Sequence, residues 1–237
     1  MHRSQKMPTF NLSEIFCSVQ GEGLLVGMPS VFIRLAGCPL RCRWCDTPYA
    51  LTEQGSDRFS LDQVLEQVSR WSVRHVVITG GEPLVDESFC ERQHVGLLLE
   101  RLKEAVKHVT IETSGVAFFP KLNCDLMSIS PKLGNSLRHD TPSRPRLAEA
   151  VVIRQFIQTY PYQIKFVVDD VSDLPEIECL LQGIGTVDRD RVLLMPQART
   201  RQELLEKSRE ITKLCVKYGF VFGQRLQVLL WDTQRGR

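Results

Sequence analysis

A chain of 237 residues, 43% of them hydrophobic, can bury one substantial core, whereas two full domains would be cramped. Its 30 basic and 28 acidic residues leave a net charge of +2 with no basic stripe to track a phosphate backbone, so nucleic acid is not an expected partner. Met1 to Thr9 lacks an apolar leader and no later stretch approaches about 18 uninterrupted apolar residues, which points to a cytoplasmic protein without membrane association.

Taken in order, residues 1–9 form a short extension. Val- and Ile-rich runs at Val31 to Leu35, His75 to Thr79, Val109 to Ile111, Leu126 to Ile129, Ile164 to Val168 and Val192 to Met195 then read as buried parallel strands. Helical spacing appears at Leu61, Val64, Leu65 and Val68, with Ser60 placed to cap it, and again at Val95, Leu98, Leu99 and Leu102. A further helix is predicted over Gln202 to Tyr218, stopped by Gly219. Gly115 to Asn123 is too short and Pro-interrupted for a full helix, and Leu133 to Pro145 is rich in Gly, Pro, Asn and Ser, so both are predicted as irregular, the second as an exposed loop. Strand and helix alternate, which makes the chain a single α/β domain over 1–237.

Eight cysteines without a secretory leader argue for reduced thiols. Cys17, Cys90, Cys124, Cys179 and Cys215 are scattered and read as small packing groups. Cys38, Cys42 and Cys45 are different, because a C-x3-C-x2-C run can put three thiolates on one face of a metal cluster. Iron-sulfur cubanes usually take four thiolates, so three leave one iron open to a non-protein ligand. A structural zinc site or three unrelated thiols are the plainer readings.

The run Cys38-Pro39-Leu40-Arg41-Cys42-Arg43-Trp44-Cys45 is followed in order by Gly80-Gly81-Glu82-Pro83, Glu112-Thr113-Ser114-Gly115 and Ser130-Pro131-Lys132. That series resembles the radical S-adenosylmethionine (SAM) superfamily. The resemblance implies a 4Fe-4S cluster held by Cys38, Cys42 and Cys45, whose fourth iron is chelated by SAM; one electron splits the sulfonium to give a radical that abstracts hydrogen from substrate. It also implies a partial TIM-like (β/α)6 barrel with its site at the carboxyl ends of the strands. The cluster loop, residues 37–47, and the Gly-Gly, Thr-Ser-Gly, Ser-Pro-Lys and Pro196-Gln197 segments all fall at such ends. SAM would then contact Trp44, Cys45, Asp46, Gly81, Glu82, Ser114, Ser130, Pro131, Lys132, Met195, Pro196, Gln197 and Ala198. Read alone, the Gly-Gly pair is a turn that lets a ligand approach the backbone closely, or a turn and nothing more.

Within the superfamily, Val19-Gln20-Gly21-Glu22-Gly23, Arg34 before Ala36-Gly37-Cys38, and Cys45-Asp46-Thr47 are similar to the 7-carboxy-7-deazaguanine synthases. That family makes the deazapurine core of queuosine-type nucleosides, converting 6-carboxy-5,6,7,8-tetrahydropterin to 7-carboxy-7-deazaguanine with loss of ammonia, and regenerating SAM. The likeness implies substrate contacts from Val19, Gln20, Gly21, Glu22, Arg34 and Thr79, a Mg2+ ligand at Thr47, a substrate-closing segment over 219–237, a homodimer, and a flavodoxin- or ferredoxin-type electron donor. By residue type alone, the plainer reading of Arg34 is that it snorkels to the surface or pairs with a structural acid, though it also suits the substrate carboxylate, Gln20 and Glu22 are either readers of an amide edge or merely solvated, and Asp46-Thr47 is an ordinary turn.

The chain departs from a familiar branch of that family in lacking an insertion within the cluster motif. It also reads Arg225-Leu226-Gln227-Val228-Leu229-Leu230-Trp231 where a Leu-Gln-x-His-Lys segment is expected. The alternatives are a glycyl-radical-enzyme activase, which shares the cysteine spacing, and a non-catalytic iron-sulfur module, which would leave Gly80 to Pro83 and Ser130 to Lys132 without a task.

Overall fold

The computed structural model of the chain describes residues 8–85, 91–136, 146–232, 234 and 236, so Cys90, most of the 133–145 loop and residues 1–7 lie outside the described residues. The elements are β1 (Thr9–Val19), β2 (Pro29–Leu35), β3 (Asp57–Ser60), α1 (Leu61–Ser69), β4 (His75–Gly80), α2 (Glu91–Glu104), β5 (His108–Thr113), β6 (Leu126–Ile129), α3 (Arg146–Thr159), β7 (Tyr162–Val168), α4 (Leu174–Ile184), β8 (Val192–Pro196), α5 (Arg201–Tyr218), β9 (Val221–Phe222) and α6 (Leu226–Trp231). Among the described residues the strands form one sheet in the order β3-β1-β2-β4-β5-β6-β7-β8-β9.

The six expected strands form its parallel centre, with helices in the crossovers except between β5 and β6, where residues 114–125 are irregular as expected. Three strands go beyond the expectation: β1 and β3 extend one edge antiparallel, and β9 adds a short parallel strand at the other. Helices α3, α4 and α6 are likewise additional. The helix ends follow local chemistry. Ser60 and Gln63 close a capping box on α1, Thr200 and Glu203 do so on α5, and Gly219 ends α5 with φ of 71°. No helix among the described residues is long and apolar enough to cross a membrane.

Period two decides what each face of the central strands does. One face, carrying Ile33, Ile78, Ile111, Ile129, Ile164, Phe166 and Leu194, packs with Leu98, Leu99, Phe156, Ile177 and Ile211 of the surrounding helices into one core. The other face lines the lumen and is far more polar. Register sets Arg34 beside Thr79, Glu112 beside Ser128, Ser128 beside Gln163, and Lys165 beside Leu193.

The barrel does not close by strand pairing, since β1–β2 and β8–β9 belong to opposite ends of the sheet. Loop 20–28 and the chain after β9 bridge to one another instead. Leu24 N donates to Gln163 Oε1 at 2.7 Å on β7, and Leu226 N donates to Gly21 O at 2.8 Å. Gly23 allows the first contact, because it takes φ of 80° and a Cβ there would lie 2.3 Å from Gln163 Nε2. Arg225, Gln227 and Val228, which follow β9, thereby line the same cavity as Gln20 and Glu22.

Candidate active site

The loop after β2 is fastened before it reaches the cysteines. Gly37 N donates to Ala50 O at 2.9 Å, Cys38 N to Leu51 O at 3.1 Å, and Arg43 N to Ser136 O at 2.9 Å. Arg41 turns back onto the carbonyls of Cys38 and Leu40, and Arg199 donates to Arg43 O at 3.0 Å. Cys38, Cys42 and Cys45 are thereby held as free, half-buried thiols on the wall of one cavity of about 260 Å³. Burial pushes Cys38 up to about 11, with Glu82 and the other two thiols adding to the rise, so a positive metal centre is what would hold it as a thiolate. Among the described residues no three His, Cys, Asp or Glu side chains converge as a site for a single ion. Three thiols on the wall of one cavity fit a multi-iron cluster, in which each thiolate binds a different iron.

The Gly-Gly turn lines the cavity and also lets neighbouring backbone approach closely. A Cβ on Gly80, whose φ is 131°, would lie 2.3 Å from both Leu35 N and Leu35 O, and one on Gly81 would lie 1.8 Å from Gly37 O. The space these glycines leave is filled by the end of β2 and the start of the cluster loop, which Gly81 N and Glu82 N grip through Leu35 O at 2.8 Å and Gly37 O at 2.9 Å. Glu82 is buried and also occupied: it accepts from Thr113 Oγ1, from the backbone and hydroxyl of Ser114, and from Leu84 N. It braces the turn after β5 against the turn after β4.

Ser130 and Lys132 face the cavity, with Lys132 Nζ 2.9 Å from Ser130 Oγ and 5.6 Å above the Trp44 ring. The indole Nε1 of Trp44 is buried without a partner among the described residues, a donor left over at the cavity wall for a bound group. Ala198 reaches the cavity, whereas Met195, Pro196, Gln197 and Pro131 do not line it. Gln197 Oε1 instead accepts from Lys207 at 3.1 Å. The Thr47 hydroxyl makes no capping bond to the 3-10 turn Pro48–Ala50 that follows it and lies 3.9 Å from Cys45 Sγ.

On the substrate side, Val19, Gln20, Gly21, Glu22, Arg34 and Thr79 all line the same cavity. Gln20 is buried, and its amide donates to Glu112 Oε1 at 3.4 Å, so it is part of the lumen floor and not a solvated turn residue. Thr79 Oγ1 donates to Glu112 Oε2 at 2.9 Å. Arg34 sends its Nε to Glu14 at 2.7 Å and lies 5.8 Å over Phe16, so part of its charge answers a structural acid. Burial opposes that charge, but Tyr49 and Glu14 keep its pKa above the ordinary value.

Sequence reasoning missed the charged centre of the lumen. Lys165, 2% exposed, places Nζ 3.0 Å from both Glu22 Oε2 and Glu112 Oε1. Glu22 Oε1 accepts from Arg225 Nε at 3.2 Å and from Gln227 Nε2 at 2.8 Å. Burial alone would raise Glu22 and lower Lys165, yet the opposed charges win: Lys165 and Arg225 hold Glu22 well below the usual carboxylate range, and Glu112 and Glu22 hold Lys165 above that of an ordinary lysine. The opposed charges therefore favour the ionised form of both groups. A carboxylate has about four lone-pair sites. With three taken, Glu22 retains one for a ligand donor.

The family model of the radical SAM superfamily matches residues 32–153. The chain is 38% identical over 234 residues to the 7-carboxy-7-deazaguanine synthase of Rhodopirellula baltica, covering 95% of this chain and 88% of that protein. It is 36% identical to that of Halobacterium salinarum, covering 95% and 91%, and 36% identical to that of Pyrobaculum aerophilum, covering 97% and 98%. In fold it is similar to the crystal structure of QueE from Escherichia coli, with a TM-score of 0.68 at 23% identity over 94% of this chain and 98% of that one.

Proposed function

Because the chain belongs to the 7-carboxy-7-deazaguanine synthases of the radical SAM superfamily, we propose that it converts 6-carboxy-5,6,7,8-tetrahydropterin to 7-carboxy-7-deazaguanine and ammonia. It is a radical SAM lyase that uses a 4Fe-4S cluster and SAM. When bound, these supply the radical that removes hydrogen from substrate; the chain's residues bind, orient and shield.

The observation that carries the substrate assignment is that the three thiols and the Lys165–Glu112–Glu22 lattice face one cavity. A pterin is a flat heterocycle with adjacent N–H donors and carbonyl acceptors, plus a carboxylate at the other end. Carboxylates and amides on the lumen floor match its donor edge, and Arg34 matches its carboxylate. Cys38, Cys42 and Cys45 would hold the cluster. Trp44, Asp46, Gly81, Ser114, Ser130, Lys132 and Ala198 would surround SAM, with Glu82 acting through Ser114. Val19, Gln20, Gly21, Glu22, Arg34 and Thr79 would meet the pterin, now joined by Glu112 and Lys165. The carboxyl-terminal segment screens the cavity from solvent, which limits side reactions of reactive intermediates.

We further propose Mg2+ at Thr47, whose hydroxyl makes no capping bond to the turn it precedes. A single protein oxygen suffices only if substrate and waters complete the shell, which is how Mg2+ is commonly held. A homodimer is proposed because β3 ends the sheet among the described residues, an edge that a second copy would cover. The electron is proposed to come from a small flavodoxin- or ferredoxin-type protein.

The test is anaerobic turnover of the cluster-reconstituted protein with SAM, dithionite, Mg2+ and carboxytetrahydropterin. Deazapurine product with SAM recovered is expected; SAM cleavage indifferent to the pterin would reject the substrate assignment.

A further inference from the structure

Arg225 joins three segments that line the proposed ternary site. It is 5% exposed, and its guanidinium donates to three chain segments far apart in sequence. Nε reaches Glu22 Oε1 at 3.2 Å in the loop that opens the substrate side, Nη2 reaches Asp46 Oδ2 at 3.1 Å beside the last cluster cysteine, and Nη1 reaches Ala198 O at 2.8 Å after β8. The next residue, Leu226, docks its N–H on Gly21 O at 2.8 Å. A guanidinium presents its five N–H donors in a rigid planar fork, so moving one of these partners moves the direction in which the others are held.

We propose that Arg225 is a positioning residue that couples SAM binding to pterin binding. The inference rests on the reading that SAM lies against Asp46 and Ala198 and the pterin against Glu22. SAM on its side of the fork fixes Asp46 and Ala198, which fixes the guanidinium plane and orients Glu22 with its remaining lone pair toward the pterin. The pterin, by holding Glu22, does the reverse.

Arg225→Met should fold. Glu22 keeps Lys165 and Gln227, and the Asp46 side chain is already half exposed. The experiment measures the dissociation constant of SAM with and without saturating carboxytetrahydropterin, anaerobically, with the cluster oxidised so that nothing turns over. Wild type is expected to bind SAM about fivefold or more tightly with the pterin present, the lower end of ordinary coupling, and by linkage SAM should tighten the pterin by the same factor. In Arg225→Met the ratio should fall to about one, and Arg225→Lys, which keeps the charge but loses the fork, should fall between. A residue that only stabilises the fold would weaken both ligands and leave the ratio unchanged, and that result overturns the proposal. Wild-type protein that binds both ligands with a ratio of one also overturns it while leaving the substrate reading intact. Wild-type protein that binds SAM and ignores the pterin refutes the substrate reading, and the coupling with it.

Discussion

Lys165 Nζ stands 3.0 Å from Glu112 Oε1 across the lumen, a buried ion pair in the same cavity as the three cluster thiols. Each partner comes from a different parallel strand, β7 and β5, which flank β6, so the pair adds a side-chain tie over the backbone ladder there.

Lys165→Met should therefore cost both stability and recognition. Removing one partner of a buried pair strands an uncompensated charge, and the expected loss is about 3 kcal/mol at a site where the carboxylates keep some solvent contact. The urea midpoint of the variant should fall, and carboxytetrahydropterin should no longer bind. Adding Glu112→Gln should recover part of the midpoint by removing one stranded charge, but not the binding. An unchanged midpoint in the single variant would show that the pair carries no net stability.

Substitution of Cys38, Cys42 or Cys45 by Ala should abolish SAM cleavage and cluster iron, because an under-ligated cubane is lost. Cys17, Cys124 and Cys215 are half-buried or buried free thiols, and Ser at each should leave iron content nearly intact. Cys179 is exposed on α4, against the expectation of a packing group, and its replacement should be silent in every assay. Iron analysis of each purified variant decides these cases.

Gly81→Ala puts a methyl where Gly37 O lies 1.8 Å away, so the cluster loop must move for the chain to fold. The expected outcome is a folded protein that takes up little iron although all three cysteines remain. Circular dichroism like wild type together with wild-type iron content would show that the loop accommodates the methyl.

The six central strands and their rim are legible in the sequence because parallel strands covered on both sides read as apolar runs, and because functional turns follow strand ends. The lumen face is harder to see. Gln163 and Lys165 alternate with Ile164 and Phe166, a period-two signal for a polar face, but Val167 and Val168 follow at once and give the whole run an apolar look. An irregularity hides β1: its register slips between Leu12 and Glu14, so Phe10 and Leu12 fall out of phase with Ile15 and Cys17 and the alternation breaks. Helix α4, by contrast, carries Ile177, Leu180, Leu181 and Ile184 at clean helical spacing, so its signal is present in the sequence although the expected elements do not include it. Arg225 has no local signal at all, since its three partners come from residues 22, 46 and 198.

His75 and His108 begin adjacent strands with ring centroids 4.5 Å apart. Desolvation, followed by the charges of His108 and Arg74, lowers the His75 pKa from 6.5, and its Nδ1 is buried without a partner among the described residues. A base harder to protonate when folded binds fewer protons than in the unfolded chain, so its stability is fully present above pH 6.5 and declines as pH falls through that value toward the folded pKa. The urea midpoint should drop between about pH 7.5 and about pH 5.5, and His75→Gln should flatten that drop. An equal slope in the variant would assign the acid sensitivity to other groups.

Thr47 offers the sharpest test of the metal assignment, because its hydroxyl is near the cluster yet not needed to hold it. Its carbonyl accepts from Ala50 N at 2.9 Å, and that backbone bond, not the side chain, forms the turn. Thr47→Val keeps the branched shape and the turn but cannot coordinate a cation, so the iron content and SAM dissociation constant should match wild type. If the hydroxyl ligates Mg2+ beside the substrate, turnover in both Thr47→Val and Thr47→Ala should slow by at least about tenfold, the scale of one lost interaction of about 1.4 kcal/mol, and should lose most of its stimulation by added magnesium. The measurement is anaerobic turnover of carboxytetrahydropterin against magnesium concentration for the three proteins. Wild-type magnesium dependence in Thr47→Val would remove this oxygen from the metal shell, since volume and backbone are retained and only the ligand is gone.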